Sequence, residues 1–262
     1  MAGRQTADIV FCMDASGSMK PTFDGVRNHV LELLDSLKAD PQYSWDVRFD
    51  FLAYSTAYNC DGKDGMKFRT VGKNDQQVID ALYKGAYDAN GGSSSGFFTS
   101  DVNAFRSALA EVKCNGDETT AVALDMAADF PFRDATTCHR VIILLTDEEM
   151  ETGSGISRSK DKLLALAGKL QDRRIALYMV TPQSDMYDTL SQIDKCEWTV
   201  VDDSSNGLST VDFSKLMQSI GKSVSVSQTS TSASIDPMPL FNENKWTNDG
   251  NCVRSDIDYS DN

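Results

Sequence analysis

Short apolar runs, each about the length of one buried strand, alternate in this chain with segments whose apolar residues recur every three or four positions. The runs are Asp8 to Met13, Val47 to Ala53, Val141 to Leu145 and Ile175 to Val180, with Cys196 to Val201 a weaker fifth. Between them, Phe23, Val26, Val30, Leu33, Leu34 and Leu37 fall on one face of a helix. The same spacing links Val102, Phe105, Leu109 and Val112; Leu163, Leu166, Ala167 and Leu170; and Phe213, Leu216, Ile220 and Val224. Strand and helix in alternation imply a mostly parallel sheet with helices on both faces, because each parallel step needs a crossover. Met66 to Val71 is the exception. The turn residues Asp61-Gly62-Lys63-Asp64-Gly65 before it are too short for a crossover, so it is expected to pair antiparallel with the second strand at the sheet's edge.

At 262 residues one large core is expected, with appendages. That core spans residues 1–224, with a surface insertion at about 75–98 formed by a short helix from Asp75 to Tyr87 and the loop Gly91-Gly92-Ser93-Ser94-Ser95-Gly96. Residues 225–262 read as a Ser/Thr-rich linker and an acidic, loosely held tail. A net charge of −14 repels nucleic acid and favours a cation or a basic partner. No apolar run approaches the roughly 20 residues that cross a bilayer, so no membrane is expected. The apolar stretch Ile9-Val10-Phe11-Cys12-Met13 is too short for a secretory leader. Six scattered cysteines without a C-x-x-C pair suit free thiols in a reducing cytoplasm.

The first strand ends in Asp14-Ala15-Ser16-Gly17-Ser18-Met19, and Pro21 suits the first turn of the helix that follows. One carboxylate and two hydroxyls therefore alternate on a strand-to-helix loop, the place where open parallel sheets collect ligands. Mg²⁺ prefers such oxygen donors in near-octahedral geometry. The strand Val141 to Leu145 runs into Thr146 and Asp147; if its strand neighbours the first, two carboxylates share one rim, and a cation relieves their repulsion. Asn115-Gly116-Asp117-Glu118-Thr119-Thr120 leads into the helical stretch Ala121 to Phe130 and presents a threonine at a third loop.

D-x-S-x-S after strand one, a threonine opening a middle helix and an aspartate after an I-I-L-L-T strand resemble the metal-ion-dependent adhesion site (MIDAS) of von Willebrand factor A domains. The resemblance covers about residues 6–224. Gly116 to Val122 is similar to the G-G-D-x-P-E-A-V pattern of the hemicentin-like and α-kinase-associated branch, a register that selects Thr120 over Thr119. Tyr178-Met179-Val180-Thr181-Pro182 with Tyr187 and Leu190 is similar to that branch as well. A departure is Glu148, with Glu149 and Glu151 nearby, where the family has glycine. The resemblance implies a Rossmann-like, doubly wound fold and a non-enzymatic protein–protein interaction module. Asp14, Ser16, Ser18, Thr120 and Asp147 would hold Mg²⁺, or Mn²⁺ or Ca²⁺, with a coordination position open to an Asp or Glu of a partner. It further implies a cytoplasmic assembly whose ATPase, kinase or protease supplies any catalysis. In integrin-type members, engagement is coupled to movement of the last helix, here Asp212 to Val224.

Blander and rival readings stand beside this one. Ser18 and Thr119 or Thr120 could be helix caps. His29 and His139 have no metal-spaced partner. Gly92-Ser93-Ser94-Ser95-Gly96 matches a hydrolase elbow in letters only, without a strand before it. An Mg²⁺-dependent phosphohydrolase would use Asp14 as nucleophile, although its second acid is replaced by Ser16. A scaffold led by the tail would use Pro239-Leu240-Phe241 and Trp246 as anchors.

Overall fold

The structure is a computed structural model, and it describes residues 3–39, 43–56, 66–83, 96–115, 120–150, 160–201 and 208–226. Six strands form one sheet: β1 (Gly3–Asp14), β2 (Tyr43–Thr56), β3 (Met66–Arg69), β4 (His139–Leu145), β5 (Ile175–Thr181) and β6 (Cys196–Val200). Their order is β3-β2-β1-β4-β5-β6, and every pairing is parallel except β2 with β3. This is the α/β, doubly wound sheet with one antiparallel edge strand that the alternation requires. It also supplies what alternation left open, the adjacency of β1 and β4, with Met13 opposite Leu145.

Helices α1 (Lys20–Leu37), α3 (Val102–Ala110) and α7 (Phe213–Val226) cover one face; α2 (Asp75–Val78), α4 (Thr120–Ala128), α5 (Lys160–Asp172) and α6 (Asp185–Ser191) serve the other. Alternation along each strand divides its side chains between the two cores: Ile9, Phe11 and Met13 face α1 and α7, while Val10 and Cys12 face α4 and α5. Both sets are fully buried, which is why these strands read as unbroken apolar runs. All six apolar positions read for α1 are buried. On α7 the buried set is Phe213, Met217, Ile220 and Val224, so Met217 takes the core position assigned to Leu216, which is only partly buried. α7 also runs to Val226, two residues into the stretch read as linker. Its approach to α1 is close at Gly221, where a methyl group would lie 2.7 Å from the Leu33 carbonyl oxygen.

The surface reading of the insertion needs correction. Val78 and Leu82 from its first part and Phe97 from its last are buried, and Phe97 and Phe98 pack edge-on against Phe130. Residues 84–95 lie outside the described residues, as does the tail from 227. Thr99 exchanges both backbone hydrogen bonds with Phe49, extending the edge of β2 below β3. Asp50 locks this junction: its buried carboxylate accepts from the amides of Phe51 at 2.8 Å, Val71 at 2.9 Å and Phe98 at 2.8 Å.

Burial lifts the Asp50 carboxyl to about 7, against the downward pull of those three amides and of Lys73. Its folded-state value lies above the ordinary 3.8, so the stability it contributes is full below that pH and is lost as pH rises through about 7. An Asp50→Asn variant lacks this titration. The stability of wild type relative to the variant is therefore expected to fall between pH ~4 and pH ~7.5, which urea denaturation at a series of pH values checks.

Candidate metal centre

The site forms where β1 and β4 end side by side. Asp14 is the last residue of β1, and its carboxylate is buried to completion. One oxygen, Oδ1, accepts from the Ser16 amide at 2.7 Å, and Oδ2 accepts from the Thr146 hydroxyl at 3.0 Å. The first bond folds the loop back over the strand end. The second ties β1 to β4.

Ser16 lies in extended backbone before a 3-10 turn, Gly17–Met19, from which α1 continues. Neither that turn nor α1 has a side-chain cap at its N-cap residue, Ser16 or Met19. The capping reading therefore fails at this loop, and the Ser16 and Ser18 hydroxyls lie 3.3 Å apart. Ala15 is held from both sides: its amide donates to the Tyr54 carbonyl at 2.8 Å, and its carbonyl accepts from the Asn115 amide at 2.7 Å. That second bond brings the segment leading to α4 against the first loop. Residues 116–119, including Thr119, lie outside the described residues.

Thr120 opens α4 fully buried, its hydroxyl 2.9 Å from the Tyr54 hydroxyl of β2. Tyr54 and Tyr187, both fully buried, are pushed far above the ordinary tyrosine range, first by burial and then by the negative charge of Asp14. Thr120 thus belongs to the same buried polar patch as Asp14. Asp147 is buried two residues beyond the end of β4. Glu148 and Glu149 next to it are exposed, and Glu151 lies outside the described residues.

Burial raises the Asp14 carboxyl to about 7; the Ser16 amide and the Thr146 hydroxyl pull it down, and Asp147 pushes it up. Among the described residues no arginine or lysine forms an ion pair with Asp14. A contrast lies six residues earlier on the same strand. Asp8, equally buried, receives Arg48 on both oxygens at 2.9 and 2.6 Å, and Arg133 through its amide at 2.7 Å and its Nε at 2.9 Å. Those arginines hold its carboxyl below the ordinary value despite burial.

The carboxylates of Asp14 and Asp147 and the hydroxyls of Ser16, Ser18 and Thr120 are all oxygen donors, a chemistry that fits a hard divalent cation. Among the described residues no group of three or more His, Cys, Asp or Glu comes together as metal ligands, so any cation here would depend on the hydroxyls. The same geometry is poor for nucleophilic attack. Asp14 has no exposed surface, and both its oxygens already accept hydrogen bonds.

No family model matches the chain, and no curated protein matches it by sequence. Solved structures do. A von Willebrand factor type A protein from Catenulispora acidiphila superposes with a TM-score of 0.54 at 13% identity, over 84% of this chain and 43% of its own. The chain has the von Willebrand factor A fold. The SpRpn10 VWA domain aligns with a TM-score of 0.48 at 12% identity, over 78% of this chain and 92% of its own. Proximal thread matrix protein 1 from the mussel byssus aligns at 0.46 and 16%, over 84% of this chain and 46% of its own. The chain thus spans less than half of the Catenulispora protein, and at these identities the likeness concerns the fold. On this von Willebrand factor A frame, the five residues singled out in the sequence lie at the carboxyl ends of β1 and β4 and at the start of α4. Sequence reasoning missed Thr146, Tyr54 and Tyr187 as their supports. Thr146 stood next to Asp147 in the quoted motif, and Tyr187 was quoted only for its likeness to the hemicentin-like and α-kinase-associated branch; Tyr54 carried no local signal.

Proposed function

We propose that this chain is a metal-dependent protein-interaction module. Asp14, Ser16, Ser18, Thr120 and Asp147 would hold Mg²⁺, with Mn²⁺ or Ca²⁺ as substitutes, and a carboxylate of a partner protein would complete the ion's coordination. One observation carries this reading: a fully buried aspartate, without a basic partner among the described residues, stands beside a second buried aspartate, at a loop whose serine hydroxyls do not cap the helix they precede. Burying like charges costs free energy unless something neutralises them. A divalent cation would do so, and with three neutral donors among five it would keep positive charge for an outside acid.

The chain's own residues would do the preparatory work. The Ser16 amide and the Thr146 hydroxyl fix the Asp14 carboxylate, and the Asn115 amide docks the third loop on the first. The exposed Glu148 and Glu149 would select among partners by repelling acidic surroundings, so that a lone acid within a basic surface is the expected motif. A cytoplasmic assembly in which an ATPase, kinase or protease provides the chemistry is part of this proposal. The buried thiols Cys12 and Cys138 suit such a reducing compartment. Among the described residues no helix is long and apolar enough to cross a membrane.

Isothermal calorimetry of the purified protein with Mg²⁺, followed by pull-downs with and without EDTA, tests the proposal. Saturable uptake and an EDTA-sensitive partner are expected. A folded protein that takes up no divalent ion would refute it.

A further inference from the structure

Tyr54 stands at the carboxyl end of β2 with no exposed surface, and its hydroxyl meets Thr120 at 2.9 Å. Val10, Cys12, Leu52 and Leu144 share its buried apolar cluster, and Asp14 and Tyr187 lie close enough to act on its hydroxyl electrostatically. A phenylalanine would fill this space equally well, so the hydroxyl needs its own explanation, since a buried polar group is costly without a partner. Thr120 is that partner. A threonine oxygen that lends a lone pair to a cation must turn its own proton away from the ion. The Tyr54 oxygen, 2.9 Å away, can accept that proton, and the bond favours one threonine rotamer. Tyr187, from α6, completes the brace by donating to the Glu148 carbonyl at 3.2 Å, directly after Asp147.

We propose that Tyr54 is a positioning residue for the metal centre, orienting the Thr120 hydroxyl and thereby setting the preference for Mg²⁺ over Ca²⁺. The inference rests on the metal reading above. Mg²⁺ requires near-ideal octahedral donors, whereas Ca²⁺ accepts six to eight oxygens in flexible arrangements, so a threonine free to rotate penalises Mg²⁺ far more. Loss of a supporting hydrogen bond to a metal ligand typically weakens binding by about 10–100-fold.

The test is calorimetric titration of wild type, Tyr54→Phe, Thr120→Val and the double variant with Mg²⁺ and, separately, Ca²⁺, together with the melting temperature of each metal-free protein. Tyr54→Phe is expected to lose about tenfold in Mg²⁺ affinity, with Ca²⁺ affinity within about twofold of wild type and an unchanged metal-free melting temperature. On the Thr120→Val background, Tyr54→Phe should cost nothing further, because the two hydroxyls act as one unit. Equal weakening of both ions, additive losses in the double variant, or unaltered Mg²⁺ binding by Tyr54→Phe would each overturn the role of Tyr54 while leaving the metal site intact. Uptake of neither ion by wild type would remove the site itself, and the inference with it.

Discussion

Replacing Asp8 with alanine is expected to destabilise the fold by about 3–5 kcal/mol, the usual consequence of removing one member of a buried charge cluster. Asp8 lies on β1 without exposed surface, clasped by Arg48 from β2 and by Arg133 from the segment between α4 and β4. The same Arg133 also reaches the carbonyls of Ala7 and Asp46, both at 3.0 Å, and the carboxylate of Asp46 at 3.0 Å. Without Asp8, two half-buried guanidinium groups face each other with their shared counter-charge gone. At about 2–4 °C per kcal/mol for a domain of this size, the melting temperature should drop by roughly 10 °C. Calorimetric melting of wild type and variant checks this, and a loss below about 1 kcal/mol would mean that the cluster relaxes into water.

The other large effect is expected at the carboxyl end of the same strand, and it separates stability from binding. An Asp14→Asn variant keeps an oxygen for the Ser16 amide, and Thr146 can turn its hydroxyl to accept from the new amide group. It also removes a buried charge that repels Asp147 and has no basic partner among the described residues. The metal-free variant should therefore melt at or above the wild-type temperature at pH ~8, where wild-type Asp14 is ionised. Its Mg²⁺ affinity should fall by more than about 100-fold, beyond the range typical of losing a mere supporting group. For wild type, a hundredfold excess of ion over Kd adds about 2.7 kcal/mol, or roughly 5–10 °C, and that gain should vanish in the variant. Melting curves over a Mg²⁺ series measure both quantities. A variant that loses stability without Mg²⁺, yet retains the full gain on adding it, would contradict the placement of Asp14 in the site.

Much of the site was legible because its chemistry is carried by short patterns. Asp14, Ser16 and Ser18 stand within five residues, and Asp147 follows an apolar strand directly, so strand-end logic placed each at a strand's carboxyl end, and both at one rim only if β1 and β4 were neighbours. The capping alternative for Ser18 could be decided only by backbone conformation and hydrogen bonding, which put Met19, without a side-chain cap, at the N-cap of α1. Tyr54 was invisible as a functional residue because an aromatic in a β-strand is ordinarily core, and its ring is core here too; only the 2.9 Å approach of Thr120, 66 positions away, singles out its hydroxyl. The insertion was read as surface because its Gly/Ser loop dominates the composition, while the residues that bind it to the core are only one helical pair, Val78 and Leu82, and the isolated Phe97.

Periodicity is a local property, so apolar runs of period two and helices of period 3.6 determined from sequence alone that β1, β2, β4 and β5 would be parallel and covered on both faces. Turn chemistry before Met66 likewise determined the antiparallel edge. Charge partnership is not local. That Asp8 would meet two arginines and Asp14, among the described residues, none, although both are buried on one strand, was decided by which segments the tertiary structure brings to the middle and to the carboxyl end of β1. A carboxylate's environment is the sum of neighbours contributed by the whole chain, and no window of sequence contains it.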